Sequence, residues 1–263
     1  MKKYWILSAI IAVASCTGTQ KDMRQDNTRM EQEDLRNGNE LTIDSMERVR
    51  KDKLMEISCN LQFTNSCGTV SDSINASISQ HILEQGRNSN VREAMRDYVS
   101  KTYSQYKGEV EEMQARGDYF ADMIFSFERN GRFMDDCADS VVTYEAISYT
   151  FLGGAHGYHS VTYLNFSRKT GHLITIGDVL DLSQKDAIIG LLVRDLEKQT
   201  GCNGMQELED EGFISIRDMH VTDNFHMGKR GITFAYNPYD IACYALGKQF
   251  VTLTYEQLRP YMK

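Results

Sequence analysis

Strict alternation of apolar and polar residues marks the first strand of the folded body. The apolar positions are Met55, Ile57, Cys59, Leu61 and Phe63. Successive side chains of a strand point to opposite faces of a sheet, so this period of two predicts a half-buried strand over residues 55–63. The same alternation over residues 119–128 predicts another strand, and Asn130-Gly131 after it predicts a turn.

Short apolar runs bounded by turn residues predict further strands in the rest of the chain. The run over 141–151 ends at a glycine-rich loop, and Lys169-Thr170-Gly171 predicts a turn. A turn or short helix is predicted over 238–245. The further strands are predicted over 141–151, 161–166, 173–176, 231–236 and 250–254.

Apolar residues one helical turn apart predict helices between the strands. Ile74, Ile78 and Ile82 follow the start signal Ser71-Asp72-Ser73, and another apolar face runs over residues 91–99. The spacing predicts two helices that cover one face of a sheet.

Two more helices are predicted in the C-terminal half. Ser183 and Asp186 resemble a capping box for a helix that ends at Gly201, and a closing helix is expected over 255–261. Blocks of helices alternating with hairpins are typical of an α+β fold. We therefore expect two α+β lobes, with antiparallel sheets each covered by helices.

The N-terminus has the layout of a bacterial lipoprotein signal. Lys2 and Lys3 precede an apolar segment over 4–13, and the small residues Val13-Ala14-Ser15 precede Cys16. We expect a signal peptide over residues 1–15 that is removed and acyl chains on Cys16. The predicted protein is held to a lipid bilayer of the cell envelope by acylated Cys16, on the periplasmic or cell-surface face.

The composition after Cys16 predicts a flexible tether over residues 16–51, because this segment has too few apolar residues to form a core. The sequence of this segment is also compatible with a short helix over residues 43–49. We expect an N-terminal α+β lobe over 52–135 and a C-terminal α+β domain over 136–263, meeting near residues 130–150.

The charge balance bears on the class of partner. The chain has 29 Lys and Arg against 37 Asp and Glu, a net charge of −8, and its basic residues are interspersed with acidic ones. Nucleic acid and anionic lipid surfaces attract basic stripes, so neither is an expected partner of the folded body.

With Cys16 acylated, an odd number of cysteines remains, so at least one is free or intermolecular. Cys59 and Cys67 flank a short polar segment, and a disulfide between them is one prediction for an exported protein. The alternative is that all five are small buried residues. The sequence leaves the pairing of Cys137, Cys202 and Cys243 open.

The glycine-rich loop over 153–157 contains the most suggestive histidine. Gly153, Gly154 and Gly157 bracket His156 and allow a close approach of another chain or a ligand. A zinc site needs a third ligand that the spacing of His156 and His159 does not supply, and no nucleophile elbow occurs. We expect no metal, no cofactor and no catalytic residue.

Two blocks of sequence resemble a known family. They are Tyr149–Gly157, with Asn165-Phe166, Thr170–Ile176 and Asp178–Leu180 after it, and Gly231–Gly247. This pattern is similar to the extracellular domain pair of the anti-sigma factor RsiV and to the non-catalytic part of the deacetylase PdaC, over about residues 50–263. Cys243 stands where the family pattern has proline.

The resemblance implies an extracellular binding module, since the RsiV domain is a receptor for lysozyme and PdaC acts on peptidoglycan. No sigma-binding region or deacetylase motif accompanies these blocks, so neither output is expected. We predict a non-catalytic lipoprotein that binds a lysozyme-like or peptidoglycan-like ligand. Its ligand-binding candidates are Gly153, Gly154, His156, Tyr158, Tyr239 and Tyr244.

A charge argument supports this prediction, and two other hypotheses compete with it. An acidic body suits a cationic partner such as lysozyme, because opposite charge accelerates association. The competing hypothesis is an envelope hydrolase or metal-dependent enzyme that uses the His156 loop. A third hypothesis is that the protein is a scaffold within a lipoprotein complex.

Overall fold

The structure, a computed structural model, describes residues 41–117 and 124–263. The predicted signal peptide over 1–15, the lipidation site Cys16 and most of the predicted tether lie outside the described residues, as does the stretch 118–123. Along the described ranges, no helix is both long and apolar enough to cross a membrane.

The described residues form a mixed sheet and a smaller antiparallel sheet. The first sheet has six strands in the order β1-β2-β3-β4-β5-β6, and the second has three in the order β7-β8-β9. The strands are β1 (Ile43–Lys51), β2 (Met55–Thr64), β3 (Phe125–Phe133), β4 (Val141–Phe151), β5 (Tyr158–Ser167), β6 (Leu173–Ile174), β7 (Phe225–Met227), β8 (Gly231–Tyr236) and β9 (Gln249–Thr254).

Helices accompany both sheets and confirm the α+β class. They are α1 (Thr69–His81), α2 (Val91–Ala115), α3 (Ile176–Val179), α4 (Lys185–Thr200), α5 (Met205–Asp210) and α6 (Tyr255–Leu258). Single 3₁₀ turns lie at Leu182–Gln184, Ile216–Asp218, Tyr244–Leu246 and Arg259–Tyr261.

One pair of strands corrects the expectation of wholly antiparallel sheets. β2 and β3 run parallel, with Met55 opposite Phe125, whereas the other neighbouring strands of both sheets are antiparallel. Helices α1 and α2 lie between β2 and β3 in the chain. Such a long crossover returns the chain to the same end of the sheet, which is what a parallel pair requires.

The predicted alternation in β2 is confirmed by burial. Met55, Ile57, Cys59 and Leu61 have no exposed surface, and they pack in one hydrophobic cluster with α1 and α2. Fully burying a side chain of this size contributes about 1.5–3 kcal/mol. The two helices therefore cover one face of the first sheet, as predicted.

Residues 43–51, expected in the tether with room for a short helix, form the edge strand β1. β1 pairs with β2 along its whole length, from Ile43 opposite Thr64 to Lys51 opposite Glu56. All of its residues are exposed or half-buried. An edge strand that buries little lacks the apolar alternation that revealed β2, so its composition matched that of a tether.

Asn130-Gly131 does not form the predicted turn, because both residues lie inside β3. The phenol ring of Tyr144 lies against Gly131, where any Cβ atom would overlap it. The Tyr144 hydroxyl donates to the carbonyl oxygen of Gln62 at 2.9 Å. Gly131 is thus required by a close approach of a buried ring within the sheet.

The capping interactions of α4 also differ in part from the prediction. Helix α4 ends at Gly201, whose φ of 80° is the left-handed conformation expected of a C-terminal glycine. Its N-terminus has no side-chain cap, and Asp181 instead accepts from the backbone N–H of Ser183 to start the preceding 3₁₀ turn. A capping box joins Thr175 and Asp178 at α3.

The hydrophobic interior divides into two main clusters, but not at the predicted boundary near residue 135. β4 and β5, expected in the domain over 136–263, pair with β3 and belong to the first sheet. The second main cluster begins at Ile176 and ends at Leu258. The first sheet therefore contains strands from both sides of the predicted boundary.

Asparagine side chains join the second sheet to the edge of the first. The Asn224 side chain accepts from the N–H of Tyr163 at 2.9 Å and donates to the carbonyl of Val161 at 2.9 Å. Asn237 accepts from the N–H of Val161 at 2.8 Å. These amides thereby satisfy backbone groups of β5 as a neighbouring strand would.

The predicted disulfide between Cys59 and Cys67 is contradicted by the structure. Both thiols are free, Cys59 being buried and Cys67 exposed. Residues 59–64 are extended in β2, and a strand rises about 3.3 Å per residue. The Cα atoms of Cys59 and Thr64 are therefore about 16 Å apart, more than twice the Cα distance of about 7 Å that a disulfide spans, and Cys67 lies beyond Thr64. Of the other cysteines, Cys137 and Cys202 are buried and Cys243 is half-buried.

Candidate ligand-binding site

The two blocks of sequence that carry the family resemblance meet in space. The turn between β4 and β5 contains His156, and the connection between β8 and β9 contains Tyr244. Their rings stack with centroids 3.7 Å apart and planes inclined by 14°. The Tyr239 ring lies 5.9 Å from that of Tyr244 at an inclination of 30°. We call His156, Tyr239 and Tyr244 the aromatic surface.

Glycines shape the turn that carries His156. Gly153 and Gly154 have φ values of 84° and 91°, which L-residues rarely adopt. A Cβ atom at Gly157 would overlap the ring of Tyr149. The Tyr244 hydroxyl donates to the Gly157 carbonyl at 2.5 Å, so this close-packed glycine fixes the turn against the opposite loop.

The opposite loop is held by its own hydrogen bonds. The backbone N–H of Tyr239 donates to the carbonyl of Ala242 at 2.9 Å, and Asp240 accepts from the N–H of Asn237 at 2.7 Å. Tyr239 has a positive φ of 76°, which is uncommon for a bulky residue. Its side chain is nevertheless 51% exposed. The loop therefore presents a large aromatic ring to solvent from a strained backbone position.

Cys243 has a backbone conformation that a proline could also adopt. Its φ is −64°, within the range that a proline ring imposes. Its N–H, however, donates to the carbonyl of Gly212 at 2.8 Å. Cys243 thus keeps a proline-compatible turn and adds a hydrogen bond that proline cannot make.

A polar cavity of about 250 Å³ adjoins this loop region, with Tyr158 in its wall. The Tyr158 hydroxyl lies 3.4 Å from the carbonyl of Pro238, and burial followed by the charge of Asp240 raises the pKa of this phenol. The cavity is also lined by Arg129, Ser148, Thr150, Ser160 and Thr162. Tyr158 therefore links the cavity to the loop that presents Tyr239.

Strand register explains why these polar residues share one face. Arg129 lies opposite Ser148, and Ser148 lies opposite Ser160 on the next strand. Side chains of directly opposite residues point to the same face of a sheet. Helices α1 and α2 cover other parts of this same face of the sheet. His81 and Ile82, at the end of α1, also line the cavity.

The histidines of the described residues are dispersed among several environments. Within residues 41–117 and 124–263, no three His, Cys, Asp or Glu side chains form a group that could hold a metal ion. His159 packs against Tyr149, with ring centroids 4.4 Å apart. His226 is 8% exposed and contacts the carbonyl of Asp136 through Nε2 at 2.5 Å.

The structure brings the predicted candidates together on the two facing loops and at the start of β5; they are Gly153, Gly154, His156, Tyr158, Tyr239 and Tyr244. Sequence reasoning missed Arg129 and the hydroxyl groups beside it. The alternation of side chains along the strand could have identified Arg129. It lies two residues after Phe127 and four after Phe125, and therefore faces the same covered side of the sheet.

Comparison with known proteins relates the chain to a family of unknown function. Residues 178–256 match the family model described as "Protein of unknown function (DUF3298)". The matched segment contains Tyr239 and Tyr244 but not the His156 turn. No curated protein matches the chain.

Two crystal structures of DUF3298 family proteins resemble the fold. One, from Bacteroides fragilis, has a TM-score of 0.77 and 23% identity, covering 85% of this chain and 94% of its own. The other, from Pseudomonas aeruginosa, has a TM-score of 0.58 and 15% identity, covering 86% of this chain and 95% of its own. The chain therefore contains a segment that matches the DUF3298 family model, and it shares its fold with these proteins.

Proposed function

We propose that this protein is a non-catalytic lipoprotein of the cell envelope that binds a glycan ligand of the peptidoglycan type at the aromatic surface. The observation that carries the proposal is the stacked pair His156 and Tyr244 with the exposed ring of Tyr239 beside it. Ordered aromatic side chains provide large contact area at low entropic cost, which suits ligand binding.

The neighbouring cavity supports a glycan over a purely apolar ligand. Its wall carries the hydroxyl groups of Ser148, Thr150, Ser160 and Thr162. A binding site generally combines apolar surface with a few polar groups that fix the ligand's orientation. An aromatic surface beside a hydroxyl-lined cavity matches a sugar chain, whose rings have apolar faces and polar edges.

A lysozyme-like protein is the second candidate ligand, and the net charge of −8 favours it. Opposite charge raises the association rate of a cationic protein, and that effect weakens as salt concentration rises. Exposed tyrosines also serve as anchors in protein interfaces. The resemblance to the RsiV extracellular domains supports this candidate as well.

Binding of muropeptides and of lysozyme by the full chain tests the proposal. We expect muropeptides to bind the unaltered protein and Tyr239→Ala to weaken that binding at least tenfold, because the exposed ring would be lost. Val49→Ala is the control, since Val49 is 54% exposed on the opposite edge strand. Muropeptide binding that is unaffected by Tyr239→Ala would contradict the proposed site. Salt-sensitive lysozyme binding without muropeptide binding would favour the second candidate.

The anchor has its own test. The proposal expects acylation at Cys16 after removal of residues 1–15, so Cys16→Ala should leave an unprocessed precursor. Fractionation and mass spectrometry of the N-terminal peptide measure both events. Normal processing and equal membrane retention of the variant would refute the lipoprotein assignment.

The competing hypothesis of an enzyme that uses His156 predicts a different result. A general base or metal ligand at His156 would make His156→Ala abolish hydrolysis of muropeptide or ester substrates while leaving the protein folded. The proposal expects no turnover by the unaltered protein. Turnover that disappears in His156→Ala would replace the binding function with a catalytic one.

A further inference from the structure

Arg129 occupies an unusual position for an arginine. It lies in β3 on the face that packs against α2, and its side chain is only 14% exposed. The guanidinium carbon lies 5.5 Å from the centroid of the Tyr98 ring, and Nη1 donates to the carbonyl of Glu128 at 3.1 Å. A mostly buried guanidinium keeps its charge and needs an anionic partner.

The acidic partner present in the chain is a weak one. Glu84 Oε1 lies 3.7 Å from Arg129 Nη2, beyond hydrogen-bond distance, and the Glu84 side chain is 76% exposed. Glu84 also has a positive φ of 55°, an uncommon conformation for glutamate. Because the Glu84 carboxylate is mostly exposed and forms no hydrogen bond with the guanidinium, another carboxylate can replace it at small cost.

The cavity in front of Arg129 has unoccupied hydrogen-bonding capacity. Within the described residues, the hydroxyls of Ser148, Thr150 and Ser160 have no hydrogen-bond partner in the protein. Each hydroxyl can donate one hydrogen bond and accept two. The cavity therefore combines one fixed positive charge with a wall of groups complementary to sugar hydroxyls.

We propose that this cavity binds an acidic sugar, with the sugar carboxylate paired to Arg129 in place of Glu84 and the ring hydroxyls bonded to Ser148, Thr150 and Ser160. This inference rests on the proposed glycan-binding function and specifies the ligand class. Arginine favours carboxylates because its planar guanidinium forms two parallel hydrogen bonds.

The size of the cavity limits the ligand. Its volume of about 250 Å³ lies just below the range of about 300–1,000 Å³ typical of pockets for drug-sized molecules. A single sugar ring with its acidic substituent is therefore the expected occupant. The remainder of a longer chain would leave past Tyr158 towards the aromatic surface.

Calorimetric titration of the full chain with three probes tests this inference. N-acetylmuramate carries a carboxylate, N-acetylglucosamine is the matched sugar without it, and lactate is the acid without the sugar. We expect N-acetylmuramate to bind about tenfold more tightly than either of the others, the effect of one charge-assisted interaction. Equal affinity for the two sugars would overturn the role of Arg129. Equal affinity for N-acetylmuramate and lactate would show that the sugar ring does not contribute to binding, and would overturn the assignment of a sugar ligand.

Two variants assign the effect to the cavity. Arg129→Gln should remove the preference for N-acetylmuramate. Glu84→Gln, at a mostly exposed side chain, should tighten N-acetylmuramate binding about threefold because the competing carboxylate is gone. Glu109→Gln makes the same charge change on the exposed face of α2 and should have no effect. Unchanged affinity in Glu84→Gln overturns the inference even if Arg129→Gln fails to fold.

The inference and the proposed function fail separately. The unaltered protein could bind muropeptides in a way that Tyr239→Ala weakens and yet show no preference for N-acetylmuramate. That result would refute only the acidic-sugar site in the cavity. Absence of any glycan binding would refute both.

Discussion

The side-chain amide of Asn165 donates a hydrogen bond to the carbonyl oxygen of Phe225 at 2.6 Å and so joins β5 to β7. Its Oδ1 atom accepts from the Thr143 hydroxyl at 2.9 Å and from the N–H of Met227 at 3.2 Å. Asn165 is 1% exposed. One buried amide therefore satisfies polar groups of both sheets.

Replacement of this amide should be costly. Asn165→Leu would leave the Phe225 carbonyl, the Met227 N–H and the Thr143 hydroxyl without a partner. Each unsatisfied buried group costs about 1–3 kcal/mol, so we expect the free energy of unfolding to fall by about 3 kcal/mol or more. Urea denaturation measures the change. Asn60→Leu, at an exposed position of β2, is the control and should alter it little.

Two glycines in open space should respond in opposite directions to the same substitution. A Cβ atom meets nothing within 4 Å at either Gly154 or Gly108, but Gly154 has a φ of 91° and Gly108 lies inside α2. Gly154→Ala should lower the free energy of unfolding by about 1–2 kcal/mol through backbone strain. Gly108→Ala should raise it by about 0.5–1 kcal/mol. Thermal or urea unfolding measures both changes. Destabilisation by Gly108→Ala would contradict the expected gain in the helix, and unchanged stability of Gly154→Ala would contradict the expected backbone strain at residue 154.

His226 should make the protein less stable as the solution is acidified. Burial lowers the pKa of His226, outweighing the opposing effects of the hydrogen bond to Asp136 and the charges of Asp136 and Glu145. The unfolded chain, with a histidine pKa of about 6.5, then binds the proton more readily than the folded one. The contribution of neutral His226 to the free energy of unfolding is fully present above about pH 6.5, and it is lost as the pH falls below that value.

The variant His226→Gln isolates this contribution because its amide can still donate to the Asp136 carbonyl. We expect the variant to lose less stability than the unaltered protein between pH 7 and pH 5. Chemical denaturation at both pH values gives the two differences. Equal losses would show that protonation of His226 is not linked to unfolding.

The cysteines should differ sharply in reactivity. Cys67 is exposed, whereas Cys59 is buried and its burial raises the pKa of the thiol to about 12. A thiol reacts as the thiolate, so alkylation of the native protein should modify Cys67 first and Cys59 only after unfolding. Peptide mapping by mass spectrometry identifies the modified residue. Recovery of Cys59 and Cys67 as a disulfide-linked pair of peptides from the native protein would contradict this prediction.

Local pattern predicted the elements of this fold better than their arrangement. The alternation from Met55 to Phe63 identified β2, and Gly201 identified the end of α4, because each signal depends on neighbours in sequence. The parallel pairing of β2 with β3 depends on a crossover through two helices, and no short pattern encodes it. Gly131 was misassigned to a turn because its partner, Tyr144, is on another strand.

The candidate site shows the same division. His156 and Tyr244 could each be selected from their own motif, but their stacking follows from the meeting of two distant loops. Arg129 was detectable in principle, since a charged residue at a core-facing position of a strand requires compensation. Its weak partner Glu84 comes from the segment after α1, a proximity that only the tertiary structure reveals.

The asparagine bridges along β5 also protect the protein against aggregation. An open strand edge is a template on which other chains can add strands and aggregate. Asn224 and Asn237 occupy the N–H groups of Tyr163 and Val161 that such an intruding strand would need. At the opposite edge, β1 presents charged side chains such as Arg48 and Arg50. A neighbouring copy of the chain would therefore meet amides already bonded to β5 at one side of the six-stranded sheet and charged side chains along β1 at the other.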